Sequence, residues 1–426
     1  MTMTLFVGAR IFDGSGDAPF SGDVLVEGNR IKSVSRTSGQ IPKAGAQVVD
    51  AKGMFLLPGM TEGHAHLSFE NVAATEDLIT PSPEAHTLLT ARVAKVLLDA
   101  GFTSAWGASE AKTRLGVAVR DAVNAGLLPG PRIRAGSLEI SVTGAMGDES
   151  REHNPRKGPS IIVDGPEEMR KAVRFSIREG CDNIKLDVSG DPFYPGSPAH
   201  TTPMSFEEIR MAVDTAHAFG RKVNAHTRSI QGSKDCLRAG VDMLYHCEYS
   251  DPELLDLFEK NKDRCFVAPT VSLFHTIVAN EAAMCGLSAE IGGYMGINAL
   301  LEHSAKTHTE LRKRGVRHLI GGDYGFKWSK NGTNARDLGF FVKYYGYTPA
   351  EALRCATKNG GIAMGGAAGD KLGEIKEGFL ADLVLVNGDP LTDFNILLDT
   401  NRLVAIMKDG QFHKNTTAAV EHRAAA

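Results

Sequence analysis

Residues 54–66 read Met-Phe-Leu-Leu-Pro-Gly-Met-Thr-Glu-Gly-His-Ala-His: an apolar run, a Pro-Gly turn, and then two histidines separated by one residue. On an extended strand, residues two positions apart point to the same face. The imidazoles of His64 and His66 therefore project toward one point, an arrangement that suits a divalent metal ion. A single His-x-His pair is a weak signal, and its weight depends on the ligand-type residues in the rest of the chain.

Four further candidate ligands each stand near the end of a strand-like run. They are Lys185, His226, His246 and Asp323. The strand-like runs alternate with amphipathic helical patterns, of which residues 83–100 are one example. The chain holds about eight such strand–helix units, which predicts an α/β protein with a (β/α)8 barrel. Because the carboxyl ends of the strands carry the chemistry in that fold, the series predicts a metal site there.

Both ends of the chain show short β-rich runs instead. Gly28-Asn29 separates two of these runs, which is a hairpin signal, and residues 403–411 form the last of them. We expect the two ends to pair into one small β-sandwich beside the barrel. The predicted division is 1–58 for the N-terminal part of the sandwich, 59–369 for the barrel, and 370–426 for the C-terminal part and a tail.

Composition narrows the class of protein. The chain has 426 residues, 42% of them hydrophobic and 23% charged, which are ordinary values for a soluble globular enzyme. The formal net charge of −4 leaves no basic surplus to neutralise phosphates, so we expect neither a nucleic-acid nor a membrane partner. The natural partner of such a chain is a small-molecule substrate.

The cysteines and the N-terminus indicate the compartment. Six cysteines are scattered without a C-x-x-C pair, which is typical of reduced thiols that act as small apolar side chains. Residues 1–7 lack a basic stretch followed by an apolar core, so no signal peptide is expected. Together these features predict a cytoplasmic location.

Three stretches resemble the amidohydrolase superfamily of metal-dependent hydrolases, and the resemblance covers nearly the whole chain. Residues 8–14 resemble its opening strand, residues 57–67 its His-x-His loop, and residues 373–384 its return to the β-domain. Residues 119–132 resemble the branch of acyl-amino-acid hydrolases, prolidase-like enzymes and ochratoxin-type amidases. Residues 322–326 resemble xenobiotic amide, urea and carbamate hydrolases of neighbouring branches. The resemblance also implies a homo-oligomer.

The resemblance assigns roles to the six candidate ligands. His64 and His66 match the ligands of a first metal ion, and His226 and His246 match those of a second. Lys185 matches a lysine that is carboxylated by CO2 into a bridging carbamate, since a free lysine is cationic and would repel a metal ion. Asp323 matches an aspartate that ligates the first metal ion and shuttles the proton. The expected ions are zinc, with manganese or cobalt as alternatives.

Two positions depart from the family pattern. Glu62 stands two residues before His64, where relatives have aspartate, and we expect this change to affect only contacts around the ligands. Arg228 stands two residues after His226, where many relatives have a second histidine. Its guanidinium suits a substrate carboxylate. A structural ion pair is an equally open interpretation of this arginine.

Other residues are weaker candidates for contact with substrate. His275, which follows the seventh strand, either hydrogen-bonds the substrate or fills a buried polar position. Tyr249, Tyr324, Lys327 and Trp328 are placed in loops at the expected mouth of the site. The long polar loop of residues 148–159 is a candidate lid.

These features predict hydrolysis of an amide C–N bond by attack of a metal-bridging hydroxide. The leading substrate class is an N-acyl amino acid or an aryl amide such as an ochratoxin-like molecule. The alternatives are a hydrolase of neutral urea or carbamate xenobiotics, and a cyclic-amide hydrolase or deaminase. A non-catalytic scaffold on the same fold is a remote alternative, because fold does not fix function.

Overall fold

Short strands open the chain in the computed structural model, which describes residues 3–194, 196–365 and 371–417. Gly28 takes a φ of 61°, a conformation that glycine adopts without strain, and the strands on either side pair antiparallel, so the predicted hairpin is confirmed. The strands of this part are β1 (Met3–Ile11), β2 (Phe20–Glu27), β3 (Arg30–Ser35), β4 (Gln47–Asp50) and β5 (Phe55–Pro58).

Parallel strands follow, and they form the predicted barrel. They are β6 (Met60–Ala65), β7 (Phe102–Gly107), β8 (Arg132–Arg134), β9 (Gly136–Ser141), β10 (Ser160–Ile162), β11 (Asn183–Asp187), β12 (Lys222–Thr227), β13 (Met243–His246), β14 (Phe266–Ala268) and β15 (Arg317–His318). Strands β8 and β9 are two parts of one barrel position, interrupted at Ala135, and β10 lies beside β9. The Gly63 N–H donates to the Ile320 carbonyl at 2.9 Å and joins the last position to the first.

Helices follow most barrel strands and cover the barrel. Helix α5 begins directly after Ser205, because Ser205 and Glu208 form a reciprocal capping box. The helices are α1 (Thr75–Ile79), α2 (Pro83–Asp99), α3 (Leu115–Asn124), α4 (Pro166–Arg178), α5 (Phe206–Ala218), α6 (Ile230–Ala239), α7 (Pro252–Asn261), α8 (Val271–Val278), α9 (Ala289–Tyr294), α10 (Ile297–Lys313), α11 (Arg336–Tyr345), α12 (Pro349–Arg354) and α13 (Gly360–Met364). None of the described helices is long and apolar enough to cross a bilayer.

The C-terminal strands complete a sheet that both ends of the chain build. They are β16 (Leu383–Val386), β17 (Leu403–Lys408) and β18 (Gln411–Asn415). Residues 403–411, predicted as a final strand with an Asp-Gly turn, do turn at Asp409 and Gly410, which both have positive φ, and the chain continues into a second antiparallel strand. The strand order is β18-β17-β16-β5-β1-β2-β3, with β4 paired to β1, so the terminal β-domain is confirmed. Its exact boundaries stay a prediction, and residues 418–426 of the tail lie outside the described part.

The last barrel position is shorter than its sequence pattern predicts. Only Arg317–His318 is regular strand, and the chain then continues without ladder pairing to Asp323. A Cβ on Gly321 would lie 2.8 Å from the Cβ of His64. A glycine is therefore needed here, because it lets the last barrel position approach the first and brings Asp323 close to the two histidines.

Candidate metal centre

A cavity of about 470 Å³ opens at the carboxyl ends of the barrel strands. This volume lies in the usual range for a small-molecule site. The structure brings all six predicted ligands to its wall: His64, His66, Lys185, His226, His246 and Asp323. Residues separated by as much as 259 positions in sequence thus share one site, as the barrel topology requires.

His64, His66 and Asp323 form the tightest group, with ligand atoms that all lie within 4.8 Å of one another. The Nε2 of His66 is 3.2 Å from Oδ1 of Asp323. The Nδ1 of His66 donates to the Ser109 carbonyl at 3.1 Å, which orients Nε2 into the cavity. The ring of His64 stacks on Tyr245 at 3.7 Å between centroids, and its two buried nitrogens have no hydrogen-bond partner among the described residues.

His226 and His246 form a second group on the adjacent strands, with ring centroids 4.4 Å apart. The Nε2 of His226 donates to the Gly190 carbonyl at 3.1 Å and leaves Nδ1 as the nitrogen with a free lone pair. The Nδ1 of His246 donates to Oγ1 of Thr270, which itself donates to a backbone carbonyl, so Nε2 keeps its lone pair. Each imidazole therefore has one fixed tautomer and one nitrogen suited to a metal ion.

Lys185 lies on the same wall, and its side chain is only 2% exposed. Its Nζ is 3.7 Å from Oε1 of Glu139 and 3.9 Å from Oδ1 of Asp187. Glu139 in turn accepts a hydrogen bond from the Ser109 hydroxyl, which also contacts His66. A polar network thus connects the lysine to the first group of ligands.

Burial favours the neutral imidazole at three histidines of the site, His64, His226 and His246. It lowers the pKa of His64 and of His246 well below the ordinary value, and it lowers the pKa of His226, with a further contribution from the Arg228 charge, to about 4. Burial raises the pKa of Asp323, but the net shift is downward because the side chains of His64, His66 and Lys185 lie close to the carboxyl. Neutral imidazoles with a carboxylate are the donor set that zinc and similar ions bind.

Left-handed backbone conformations mark the strand ends at this site. His246 has a φ of 70°, Thr270 of 57° and Asp323 of 59°. Each costs roughly 1–3 kcal/mol for a residue other than glycine, and such residues cluster at functional sites. Aspartate and histidine adopt this conformation more often than most residues do, but their presence in a sequence does not predict it.

A buried group of polar side chains holds the first and last barrel positions together. Glu62 accepts from the His64 backbone N–H at 3.0 Å and from Nδ2 of Asn334 at 2.7 Å. Burial, assisted by the Asp337 carboxyl, raises the pKa of Glu62 to about 8. Asp337 accepts from the Gly321 N–H at 2.9 Å. Sequence reasoning found Glu62 but missed Asn334 and Asp337, which belong to the segment that enters α11 and have no motif of their own.

Arg228 is a structural ion pair rather than part of the cavity wall. It is 1% exposed, its Nε donates to Oδ2 of Asp191 at 2.9 Å, and its Nη1 makes a very short hydrogen bond to Glu248. Its guanidinium also lies over the ring of Phe274, 4.8 Å from the centroid. Because these contacts occupy the guanidinium, the predicted contact with a substrate carboxylate has no support in this structure.

Three of the weaker candidates also lie away from the cavity wall. The Nδ1 of His275 pairs with the Tyr344 hydroxyl at 2.7 Å, and the ring of Tyr249 packs on His303 at 4.8 Å. Tyr324 is buried, and its hydroxyl donates to Asp337 at 3.1 Å. Tyr249 and Tyr324 lie in loops as predicted and His275 lies in α8, but all three side chains turn toward the protein interior or neighbouring helices.

Replacing Arg228 with alanine is expected to lower the free energy of unfolding by about 3–5 kcal/mol, because it leaves the buried carboxylate of Glu248 without its cation. Urea unfolding of the full chain measures this. The matched control is Arg210→Ala, which breaks an exposed pair with Asp214 and should cost at most about 0.5 kcal/mol. Unchanged stability of Arg228→Ala, with a raised KM for carboxylated substrates alone, would restore the substrate-binding interpretation.

The predicted lid loop lies at the cavity, and of the predicted mouth residues Trp328 and Lys327 only Trp328 does. Glu149 and Pro159, from the loop of residues 148–159, line the cavity, and Arg156 of this loop pairs with Glu76 at 2.6 Å. Whether this loop opens and closes stays a prediction. Trp328 lines the cavity as expected, whereas Lys327 is exposed and lies outside the wall.

Comparisons with known proteins agree with this geometry. The sequence profile of the amidohydrolase family matches residues 55–412. An ochratoxinase from Aspergillus niger is 28% identical over 433 aligned positions, which cover 97% of this chain and 87% of that protein. The crystal structure of A. niger ochratoxinase superposes with a TM-score of 0.83 at 26% identity, covering 97% of this chain and 96% of its own.

A second solved structure is similar over the same length. A Xaa-Pro dipeptidase with bound methionine in the active site superposes with a TM-score of 0.85 at 25% identity, covering 97% of this chain and all of its own. The family profile spans the barrel, the six residues at its strand ends, and strands β5, β16 and β17 of the terminal sheet. The chain belongs to the amidohydrolase family.

Proposed function

We propose that this chain is a metal-dependent hydrolase of amide C–N bonds, acting on N-acyl amino acids or aryl amides. The single observation that carries the proposal is the state of His64. Both of its ring nitrogens are buried and lack a partner among the described residues, within a wall of neutral imidazoles and a carboxylate. An unpaired buried polar group costs free energy, and a bound metal ion would remove that cost at the one nitrogen that ligates it.

The donor set fits two divalent metal ions, with zinc expected and manganese or cobalt accepted by the same donors. His64, His66 and Asp323 would hold one ion, and His226 and His246 the other, with carboxylated Lys185 between them. When bound, the ions would supply the Lewis acidity that polarises a scissile carbonyl and activates water.

Asp323 is proposed as the catalytic acid and base. Its low pKa keeps the carboxylate ionised at neutral pH, so that it can accept a proton from the attacking water. Returning that proton to the departing nitrogen matters, because an amide nitrogen is a poor leaving group as an anion. The side chain is only 13% exposed, which limits proton exchange with bulk water.

Lys185 is proposed to be carboxylated. The free amine adds through Nζ to the carbon of CO2, an N–C bond forms as one C–O π bond opens, and one N–H proton leaves to solvent. The product is an anionic carbamate in place of a cationic ammonium. Glu139 and Asp187 flank Nζ and would hold this group in position through its remaining N–H and through neighbouring polar atoms.

The substrate class rests on the relatives and on the cavity. A dipeptidase cleaves an amide bond by definition, and the similarity to an ochratoxinase favours an aryl amide. Neutral ureas and carbamates are the second candidate, because Lys185 is the only lysine or arginine among the described residues that line the cavity. A cytoplasmic homo-oligomer is part of the same proposal and rests on the sequence pattern and the family resemblance.

The proposed function is tested by incubating the zinc-loaded full chain with an N-acyl amino acid, an anilide and a phenylurea, and measuring the amine released. The expected result is amide hydrolysis that a chelator abolishes and added zinc restores. Hydrolysis of the phenylurea without either amide would move the function to the second candidate. Turnover that is insensitive to the chelator would contradict metal dependence.

A further inference from the structure

Three aromatic rings stand in a row along one side of the cavity, next to His66 and Asp323. The ring of Phe69 stacks on His66 at 4.4 Å between centroids and meets Phe326 edge-on at 6.1 Å. The ring of Trp328 stacks on Phe326 at 5.2 Å, with 19° between their planes. All three line the cavity, and we call them the aromatic wall.

Backbone contacts between two loops hold the aromatic wall in place. The Val72 N–H donates to the Gly325 carbonyl and the Lys327 N–H donates to the Val72 carbonyl, each at 3.0 Å. Gly325 has a φ of 123°, and a Cβ there would lie 2.5 Å from the Cβ of Phe69. The glycine therefore allows the two loops to touch directly, and the rings are positioned before any ligand arrives.

Neither Arg228 nor Lys185 is available to bind a substrate, so substrate recognition depends on the aromatic wall. The guanidinium of Arg228 is occupied by buried carboxylates, and Lys185 is already assigned to the metal site. Leu78 packs in the same apolar cluster as Phe69 and Phe326, and Leu273 lines the same cavity. A flat apolar group that enters this side of the cavity gains burial and ring stacking.

We propose that Phe69, Phe326 and Trp328 form a subsite that selects an aromatic ring beside the scissile amide. This inference deepens the proposed function and rests on it for the identity of the bond. Because the wall starts at a ring in contact with His66, the selected ring lies next to the reacting centre. Selection arises from stacking, which adds to the burial that any apolar group of the same size would gain.

Matched substrates test this selection in the zinc-loaded full chain. One pair is N-acetyl-phenylalanine and N-acetyl-cyclohexylalanine, and the other is N-benzoyl-glycine and N-cyclohexanecarbonyl-glycine, so each side of the bond is sampled. We expect kcat/KM to favour the aromatic member of at least one pair by roughly fivefold, through KM. Phe326→Leu and Trp328→Leu should remove this preference, whereas Phe219→Leu, an exposed aromatic site on the outer surface, should keep it. A preference that is absent, or that survives in both wall variants, overturns the inference.

Binding separates this inference from the proposed function. The chain has two tryptophans, and Trp106 is 2% exposed inside the barrel, so a ligand-dependent change in tryptophan emission reports on Trp328. N-acetyl-phenylalanine should change the emission of the wild-type chain but not of Trp328→Phe. This result with no turnover would keep the aromatic subsite and reject amide hydrolysis. Turnover with no emission change, or a change that persists in Trp328→Phe, would reject the subsite and keep the hydrolase.

Discussion

Replacing Asp323 with asparagine is expected to lower kcat for amide hydrolysis roughly a thousandfold, which is the scale of general acid–base catalysis. Asparagine keeps the shape of the side chain and one neutral oxygen, but it cannot carry a proton between water and the leaving nitrogen. Because the two side chains have the same shape, the substitution should leave the packing of the site almost unchanged, including the approach of Oδ1, which lies 3.2 Å from Nε2 of His66 in the wild-type chain. KM is therefore expected to change much less than kcat.

Steady-state kinetics and elemental analysis of the same samples check this result. The control is Asp214→Asn, which removes an exposed carboxylate on α5 and should keep the wild-type kcat. Retained metal with lost turnover would support a role in proton transfer. A near-wild-type kcat in Asp323→Asn would mean that another group moves the proton, and the assignment of Asp323 would be withdrawn.

Replacing Lys185 with alanine is expected to lower both metal content and turnover, with turnover falling roughly a thousandfold or more because several kcal/mol of transition-state stabilisation is lost. The substitution leaves Glu139 and Asp187 facing a gap where the carbamate would stand. Lys185→Arg is the matched control for charge and length, since it keeps a cation that cannot be carboxylated. Both variants should therefore be inactive, although only the alanine variant loses the positive charge.

Carbon-13 NMR tests the carbamate itself. The wild-type chain, loaded with zinc in the presence of 13C-labelled bicarbonate, is expected to show a protein-bound carbamate signal that both Lys185 variants lack. A wild-type spectrum without this signal, together with full metal content, would show that Lys185 remains unmodified. The same spectrum with full activity would require a mechanism without a bridging carbamate.

The barrel and the common location of the six candidate ligands were predictable because their signals are local. Strands such as β12 and β13 are short, and each ends at or next to its candidate ligand, His226 or His246. The barrel topology then brings the candidate ligands together, since every parallel strand of a barrel ends at the same face. This is why six residues spread over most of the chain could be assigned to one site before their distances were known.

The directions of the other candidate side chains were not predictable in the same way. Arg228 meets Asp191 and Glu248 only because three strand ends converge, and nothing in the local sequence shows that its charge is already paired. Position in a loop likewise does not fix the direction of a side chain, so Tyr324 turned out to bind Asp337 inside the protein. Tertiary packing decides the directions of these side chains, and they cannot be read from the periodicity of strands and helices.

The aromatic wall was likewise only partly predictable from the sequence. Trp328 was expected at the mouth, but its neighbours Phe69 and Phe326 belong to two loops at opposite ends of the barrel sequence. Their contact depends on the close approach that Gly325 allows. A loop can require a glycine for several different reasons, and the sequence does not show which one applies. Only the structure shows that Gly325 is required because another loop passes close to it.

The most direct test of the proposed metal centre is the number of metal ions per chain in the purified, zinc-reconstituted protein, determined by elemental analysis. We expect roughly two zinc ions per chain, in line with two groups of ligands on one wall, and loss of amide hydrolysis when a chelator removes them. A single ion that persists in Lys185→Ala would reduce the site to a mononuclear centre. No bound metal after reconstitution, in a folded chain, would contradict the proposal that these six residues form a metal-dependent hydrolytic site.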